Sequence, residues 1–587
     1  MRLANDLRHY TLKESNSGII SFHRVELAAF APKENLVDRR KFLQASSLAG
    51  AAFAFGTRPA WSATADAHVE ILLDESVGTI APEIYGQFTE HLGGVIYDGL
   101  WVGEGSHIPN IHGLRKQIVD LMKQIHVPVV RWPGGCFADS YDWRDGVGPR
   151  KDRPTRTNFW ADDPDATRLS GNAVQLYEDN AFGTDEFVRF CHLIGAQPYM
   201  ASNLRSLPAM EFSRWVEYCN SPTGSTTLAK QRAANGSADP YNVKYWGVGN
   251  ESWGCGGNFE PGEYAEEFRR FTTWVPHYGV PLSFIGSGPN DNNLEWTNGF
   301  FEALRKRNYM PRELRGWSVH YYTWNLSLGQ TTDWVAGKRD AVDFDETGWY
   351  ELFLQGLVME DIVQAQWGLL GEFDPSRQIK LVVDEYGAWY KPGTQLDPTH
   401  LLGQQVTLRD ALLTAMTLDI FNRHAEKVGM AACAQLVNCL NALFMSHEDK
   451  FITTPVFHVF DMYAAHQGAQ SLRTNFSSPQ VHYQRNGRPA ALAGLLGSAS
   501  LNGKTVTLTA TNPDLKDPKL TEIVLRGSAK ITSAEASVLT NSDMHAHNTF
   551  EQPNAVQLKK QTVEVQGDRL IVSLPPASVA SITIQLA

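Results

Sequence analysis

The feature that most limits the fold is a step that keeps recurring. Apolar residues at helical spacing are followed by a short, wholly apolar run that stops at a polar side chain. Leu114, Ile118, Leu121, Met122 and Ile125 share one helical face, and Val127-Pro128-Val129-Val130 then reads as a buried strand ending at Arg131. Thr184 opens a second such unit as the cap of a helix carrying Phe187, Phe190, Cys191 and Ile194, with a strand at 198–201. Further strands are expected at 245–249, 282–286, 317–321, 380–385 and 431–437, and one at 84–88 precedes them all, which makes eight. A strand apolar on both faces must be covered on both, so the pattern predicts an α/β protein: a (β/α)8 TIM barrel over residues 81–468. Functional side chains then belong at the C-terminal ends of the strands. Beyond about residue 470 the texture changes to short alternating runs such as Thr505-Val506-Thr507-Leu508-Thr509-Ala510 and Ile571-Val572-Ser573-Leu574, separated by Gly, Pro and Asn turns. These predict an all-β, jelly-roll-like sandwich over 469–587, which a strand in the segment 66–80 is expected to join.

Composition narrows the partners. The 587 residues carry 52 Lys+Arg against 64 Asp+Glu, a net charge of −12, and no basic run that would neutralise phosphates, so nucleic acid is not an expected partner. No apolar run reaches the roughly 18 residues a membrane span needs, so no membrane partner is expected. The six cysteines (136, 191, 219, 255, 433 and 439) contain no C-x-x-C pair and read mostly as buried thiols. Near the N-terminus, Asp38-Arg39-Arg40-Lys41-Phe42-Leu43-Gln44, a weakly apolar stretch over 45–56 and Ala63-Thr64-Ala65 stand in the order of a twin-arginine export signal. Residues 1–65 are therefore expected to be removed and the mature protein to be periplasmic or extracellular.

Two carboxylates end predicted buried strands. Glu251 closes Trp246-Gly247-Val248-Gly249-Asn250-Glu251 after the fourth, and Glu385 lies in Val382-Val383-Asp384-Glu385-Tyr386-Gly387 at the seventh. Hydrolysis of a glycosidic bond with retention needs one carboxylic acid to protonate the leaving oxygen and one carboxylate to attack the anomeric carbon, about 5–5.5 Å apart. Two strand ends facing one barrel mouth can supply that pair, although spacing alone equally allows two unrelated rim carboxylates. Other signals are weaker. Gly247-Val248-Gly249 lacks the third glycine of a dinucleotide loop, so no cofactor is expected. His545-Ala546-His547 with Asp543 could bind a metal but sits in a polar loop where solvated side chains are commoner, so no metal is assigned. Trp143, Trp253, Trp349 and Trp389 lie near the strand-end motifs and could stack on sugars or simply pack.

The strand-end motifs themselves are more specific. Tyr85-Gly86-Gln87-Phe88-Thr89-Glu90-His91-Leu92-Gly93-Gly94, Arg131-Trp132-Pro133-Gly134-Gly135-Cys136, Gly249-Asn250-Glu251-Ser252-Trp253-Gly254 and Asp384-Glu385-Tyr386-Gly387-Ala388-Trp389-Tyr390 together resemble the α-L-arabinofuranosidases of glycoside hydrolase family 51. His320-Tyr321-Tyr322 and Gln435-Leu436-Val437-Asn438 extend the resemblance over the whole barrel. The resemblance implies that Glu251 is the general acid/base and Glu385 the nucleophile, and that Asn250 binds the sugar 2-hydroxyl. It implies further that Glu90, His320, Tyr322 and Gln435 hold the arabinofuranose and that Arg131 keeps Glu385 ionised. Cys136 stands where the motif varies between Asn and Cys, which leaves open whether it touches the sugar or is a buried thiol. The implied substrates are arabinofuranosyl-containing polysaccharides and oligosaccharides, and the implied assembly is a homo-oligomer, often a hexamer. Two rivals stay open: a β-glucanase or β-xylosidase with the same carboxylate pair, and a non-catalytic carbohydrate-binding protein.

Overall fold

A computed structural model describes residues 65–161, 176–323, 338–485, 487–527 and 530–587. Of the region 1–65 expected as an export signal, residues 1–64 lie outside the described residues.

Eight parallel strands close into a barrel: Gly86–Phe88, Val129–Trp132, Gln197–Ser202, Tyr245–Val248, Ser283–Gly286, Leu314–Thr323, Lys380–Ala388 and Val428–Cys433. Each pairs in parallel with its neighbours in sequence, and the last meets the first at Ala432↔Gly86 and Cys433↔Gln87. All eight stand where the apolar runs predict them. The eighth starts and ends earlier than expected, because the chain from Ala434 onward leaves the ladder and curls over the barrel mouth, where Leu436 N–H bonds the Phe88 carbonyl at 2.8 Å. Val129, Tyr199, Tyr245, Ile285, Val382 and Met430, one from each of six strands, form a small buried cluster of their own that fills the lumen. On the outer faces of the strands, Trp132, Trp246 and Trp317 are buried against the helices. Taking a large apolar side chain of this kind out of water contributes roughly 1.5–3 kcal/mol.

Helix starts follow local chemistry with one difference from expectation. Thr407 caps the helix Leu408–Arg423 in a reciprocal box with Asp410, whose Oδ2 accepts the Thr407 N–H at 2.7 Å. Thr184, expected as a cap, is instead the first residue of its helix. Gly183 occupies the cap position, its N–H bonds Glu186 Oε2 at 2.9 Å, and the Thr184 hydroxyl accepts from Trp215 Nε1.

The C-terminal region forms a ten-stranded, mainly antiparallel sheet. The strand Ala67–Thr79 enters it between Gln470–Ser477, antiparallel, and Lys519–Arg526, parallel. Side chains from opposite ends of the strand order, such as Val538 and Ile582 from one and Ile523 and Val572 from the other, share one core, so the sheet folds over itself into two layers. The helix Leu408–Arg423 is buried on every side except at its last residue, as a helix must be when it is packed between the barrel and the sheet. Its Asp419 accepts hydroxyl bonds from Ser498 and Thr509, both at 2.6 Å, and from Tyr463 at 3.0 Å, while burial pushes its acid up to about 6. Among the described residues no helix is long and apolar enough to cross a membrane.

Candidate active site

The predicted site residues converge at the C-terminal mouth of the barrel. Arg131, on the second strand and 1% exposed, holds three partners at once. Its Nη1 donates to Glu385 Oε1 at 2.8 Å, its Nη2 donates to Asn250 Oδ1 at 2.5 Å, and its Nε lies 3.5 Å from Asp384 Oδ2. Tyr322 donates to the other Glu385 oxygen at 2.8 Å. With one oxygen on a guanidinium and one on a phenol, Glu385 has a fixed aim and a matched counter-charge.

Asp384 and Glu385 are adjacent, yet both reach the lumen side. The register on each flank of the seventh strand slips here, with Ser318↔Val382 followed by His320↔Glu385 on one side and Val383↔Ala431 followed by Tyr386↔Cys433 on the other. A bulge of this kind re-aims a side chain that strict alternation would turn outward. Asp384 is taken by Tyr199 at 2.7 Å and His320 at 3.3 Å. Burial alone would raise its acid, but Arg131, His320 and Tyr199 outweigh that and hold it at about 2.

Glu251 sits in a turn after the fourth strand with φ 40°, a left-handed conformation that costs a non-glycine residue on the order of 1–3 kcal/mol unless its surroundings fix it. Here they do. Asn250 N–H bonds Asp139 Oδ2 at 2.9 Å, Ser252 N–H bonds Ser287 Oγ at 3.0 Å, and the Glu251 carbonyl accepts from Gly254 and Gly256. The Glu251 carboxylate points at the same histidine as Glu385: His320 Nδ1 lies 3.0 Å from Glu251 Oε1 and 3.6 Å from Glu385 Oε2. An oxygen of Glu251 comes within 4.8 Å of one of Glu385. Glu251 is the more open of the two, its side chain 18% exposed against 7%.

His320 therefore stands among three carboxylates. Burial opposes its charge, but Glu385, Asp384 and Glu251 overcome that and push it up to about 10. Between about pH 6.5 and 10 the folded protein binds a proton there that the unfolded chain has released, so this stabilisation is full below pH 6.5 and lost as pH rises through 10. Wild type should lose stability across that window with a slope of up to about 1.4 kcal/mol per pH unit, and His320→Gln should flatten it. Urea unfolding of both proteins at pH 6.5, 8 and 10 measures the difference, and parallel curves would remove His320 as the source.

Glu90 lies deeper. Gln435 Nε2 and Phe137 N–H bond its two oxygens at 2.9 and 3.0 Å, while burial and the neighbouring Glu385 push its acid up to about 7. The Gly134-Gly135 pair explains itself here: a Cβ on Gly134 would lie 2.6 Å from Glu90 Cγ, and one on Gly135 would lie 2.8 Å from Glu385 Oε1. Neither position has room for a side chain without displacing a carboxylate.

Cys136 is not a free thiol. It is disulfide-bonded to Cys255, and the two sulfurs lie 3.7 and 3.4 Å from Glu251 Oε2. The bridge ties the loop after the second strand to the loop after the fourth. The other four cysteines are buried thiols. Sequence reasoning missed Cys255, Asp139 and Tyr199. Asp139 also accepts Leu204 and Arg205 N–H groups, at 2.7 and 3.0 Å, and is pushed up to about 7 by burial. Of the tryptophans, Trp143 and Trp349 are buried packing residues, whereas Trp389 meets Tyr322 edge to face at 5.1 Å on the rim. His545 and His547 are engaged by the carbonyls of Phe344 and His545, both at 2.8 Å.

The comparisons agree with this geometry. The family described as "Alpha-L-arabinofuranosidase 1 domain" matches residues 121–339, and "Alpha-L-arabinofuranosidase C-terminal domain" matches 384–578. A Bacteroides ovatus protein named intracellular exo-alpha-L-arabinofuranosidase is 35% identical over 528 residues, 89% of this chain and 96% of the relative. The crystal structure of the GH51 arabinofuranosidase from Xanthomonas axonopodis pv. citri superposes with a TM-score of 0.81 at 36% identity, covering 89% of this chain and all (100%) of the other. An arabinose complex of the Thermotoga maritima α-L-arabinofuranosidase superposes at 0.74 with 28% identity and the same coverage. The expected export and periplasmic or extracellular location are contradicted, since the Bacteroides relative is named as intracellular. Charged, apolar and small residues in order are a compositional pattern that a short stretch can meet without being a transport signal. With barrel, strand-end residues and whole-length relatives in agreement, this chain belongs to the α-L-arabinofuranosidases of glycoside hydrolase family 51.

Proposed function

We propose that the enzyme removes terminal, non-reducing arabinofuranosyl residues from arabinoxylan, arabinan or their oligosaccharides, with retention of configuration through a covalent intermediate. The observation that carries the reading is the closeness of the two carboxylates, with oxygens within 4.8 Å. Inverting enzymes keep theirs about 6.5–9.5 Å apart to admit a water, whereas a pair at about 5–5.5 Å leaves room only for direct attack. In this mechanism Glu385, aimed by Arg131 and Tyr322, attacks the anomeric carbon. Glu251 protonates the departing oxygen and later takes a proton from the water that releases the sugar. Asn250, oriented by Arg131, meets the 2-hydroxyl, and Glu90 with Gln435 holds the sugar from below. His320 supplies a fixed positive charge between the two carboxylates, which lets them approach each other. A homo-oligomer, hexameric by family resemblance, belongs to the same reading and is measured by light scattering.

The test is a panel of 4-nitrophenyl glycosides. The α-L-arabinofuranoside should be turned over at least about a hundredfold faster than the β-xyloside or β-glucoside, the size of discrimination a shaped sugar pocket supplies. Proton NMR of the first-formed arabinose should show the substrate's anomeric configuration. Faster xyloside turnover would favour the β-xylosidase reading, and an inverted first product would exclude the covalent route.

A further inference from the structure

Outside the catalytic cluster, three side chains from three different barrel loops meet on one oxygen. Asp98 follows the first barrel strand, His400 lies between the seventh strand and the helix Leu408–Arg423, and His447 ends the short strand Phe444–His447 after the eighth. His447 Nδ1 stands 3.1 Å and His400 Nε2 3.4 Å from the same Asp98 Oδ2. The other carboxylate oxygen is already engaged, accepting Glu448 N–H at 2.7 Å with Arg115 at 3.8 Å. Arg115 itself uses its N–H groups on the carbonyls of Gly99, Asp98 and Glu448.

We propose that Asp98, His400 and His447 form a binding site for a borderline divalent metal ion of the zinc type, which pins these three loops together at the rim of the barrel. Four donors around zinc at about 2.0–2.1 Å are separated along the tetrahedral edges by about 3.3–3.4 Å, and the two N···O separations here bracket that value. Two imidazoles and one carboxylate suit zinc and its neighbours better than calcium or magnesium, which prefer oxygen throughout. His400 is 4% exposed, its Nδ1 has no hydrogen-bond partner among the described residues, and its Nε2 is the nitrogen that faces Asp98. Room for its ring is built in, because a Cβ on Gly94 would lie 2.5 Å from Nε2. Asp397 lies within electrostatic reach of both histidines and adds a second negative charge. The side chains of Asp98 and His447 are 29% and 35% exposed, which leaves an entry path and space for a water as fourth ligand.

The experiment uses the full chain, stripped with a chelator and titrated with zinc chloride against a chromophoric indicator, alongside thermal melts. One zinc per chain and a rise in the melting midpoint are expected at this site. His447→Ala, at a partly exposed position away from the catalytic carboxylates, should weaken zinc binding at least about tenfold and abolish the rise, while turnover of 4-nitrophenyl arabinofuranoside stays at the wild-type level. Asp98→Asn should behave likewise in zinc binding. Wild-type protein that binds no zinc overturns the proposal and leaves the cluster as a hydrogen-bonded triad. Zinc bound equally well by wild type and His447→Ala also overturns it, by placing the ion elsewhere.

Discussion

Glu385→Ala should abolish turnover even of 4-nitrophenyl α-L-arabinofuranoside, a substrate whose leaving group needs no help. The loss should be on the order of 10⁴- to 10⁶-fold, the scale seen when a nucleophile is deleted, because no other group stands ready to attack the anomeric carbon. Arg131 Nη1 and the Tyr322 hydroxyl, which now bond the two Glu385 oxygens at 2.8 Å each, would be left facing a small vacancy suited to an anion. Azide fits that vacancy in both size and charge. Added azide should restore part of the rate and give a glycosyl azide of inverted configuration, since it attacks once from the face the carboxylate used. A thermal melt close to wild type would show that the loss is chemical. Near wild-type activity in the variant would remove Glu385 as the nucleophile.

The barrel is legible in this sequence because its strands are apolar on both faces and its helices on one, and both patterns survive in a single chain. The strand ends are equally legible, since Arg131, the pair Asn250-Glu251 and the pair Asp384-Glu385 each break an apolar run. What does not appear is anything that depends on pairing across the barrel. Cys136 and Cys255 are 119 residues apart and share no spacing motif, so their bridge follows only from the meeting of two loops. Asp139 looks like an ordinary loop acid until the Asn250, Leu204 and Arg205 amides are brought to it. Strict alternation would place either Asp384 or Glu385 in the lumen, and the bulge that admits both is a property of the neighbouring strands' register. The export reading rested on the order of charged, apolar and small residues over 38–65, and the relative named as intracellular counts against it.

Glu251→Ala should separate leaving groups. Protonating the departing oxygen matters most when it leaves as a poor alkoxide, so arabinose linked to xylan should lose most of its rate, about 10²- to 10⁴-fold. A nitrophenolate hardly needs the proton and should lose much less in the first step. Removing the carboxylate deletes the contact with His320 Nδ1 at 3.0 Å but leaves the Arg131 and Tyr322 bonds to Glu385 in place, so the attack itself stays armed. In the proposed mechanism the same residue later activates water, so the second step should slow as well and the glycosyl-enzyme should accumulate, seen as a burst of nitrophenolate before a slow steady state. Azide needs no base; it should discharge the intermediate and give a product of retained configuration, the product of two inversions. The Glu385 variant gives the opposite azide stereochemistry from one inversion, and it is this pairing that assigns the roles. Equal losses on both leaving groups, with neither a burst nor a retained azide product, would mean that Glu251 is not the acid/base.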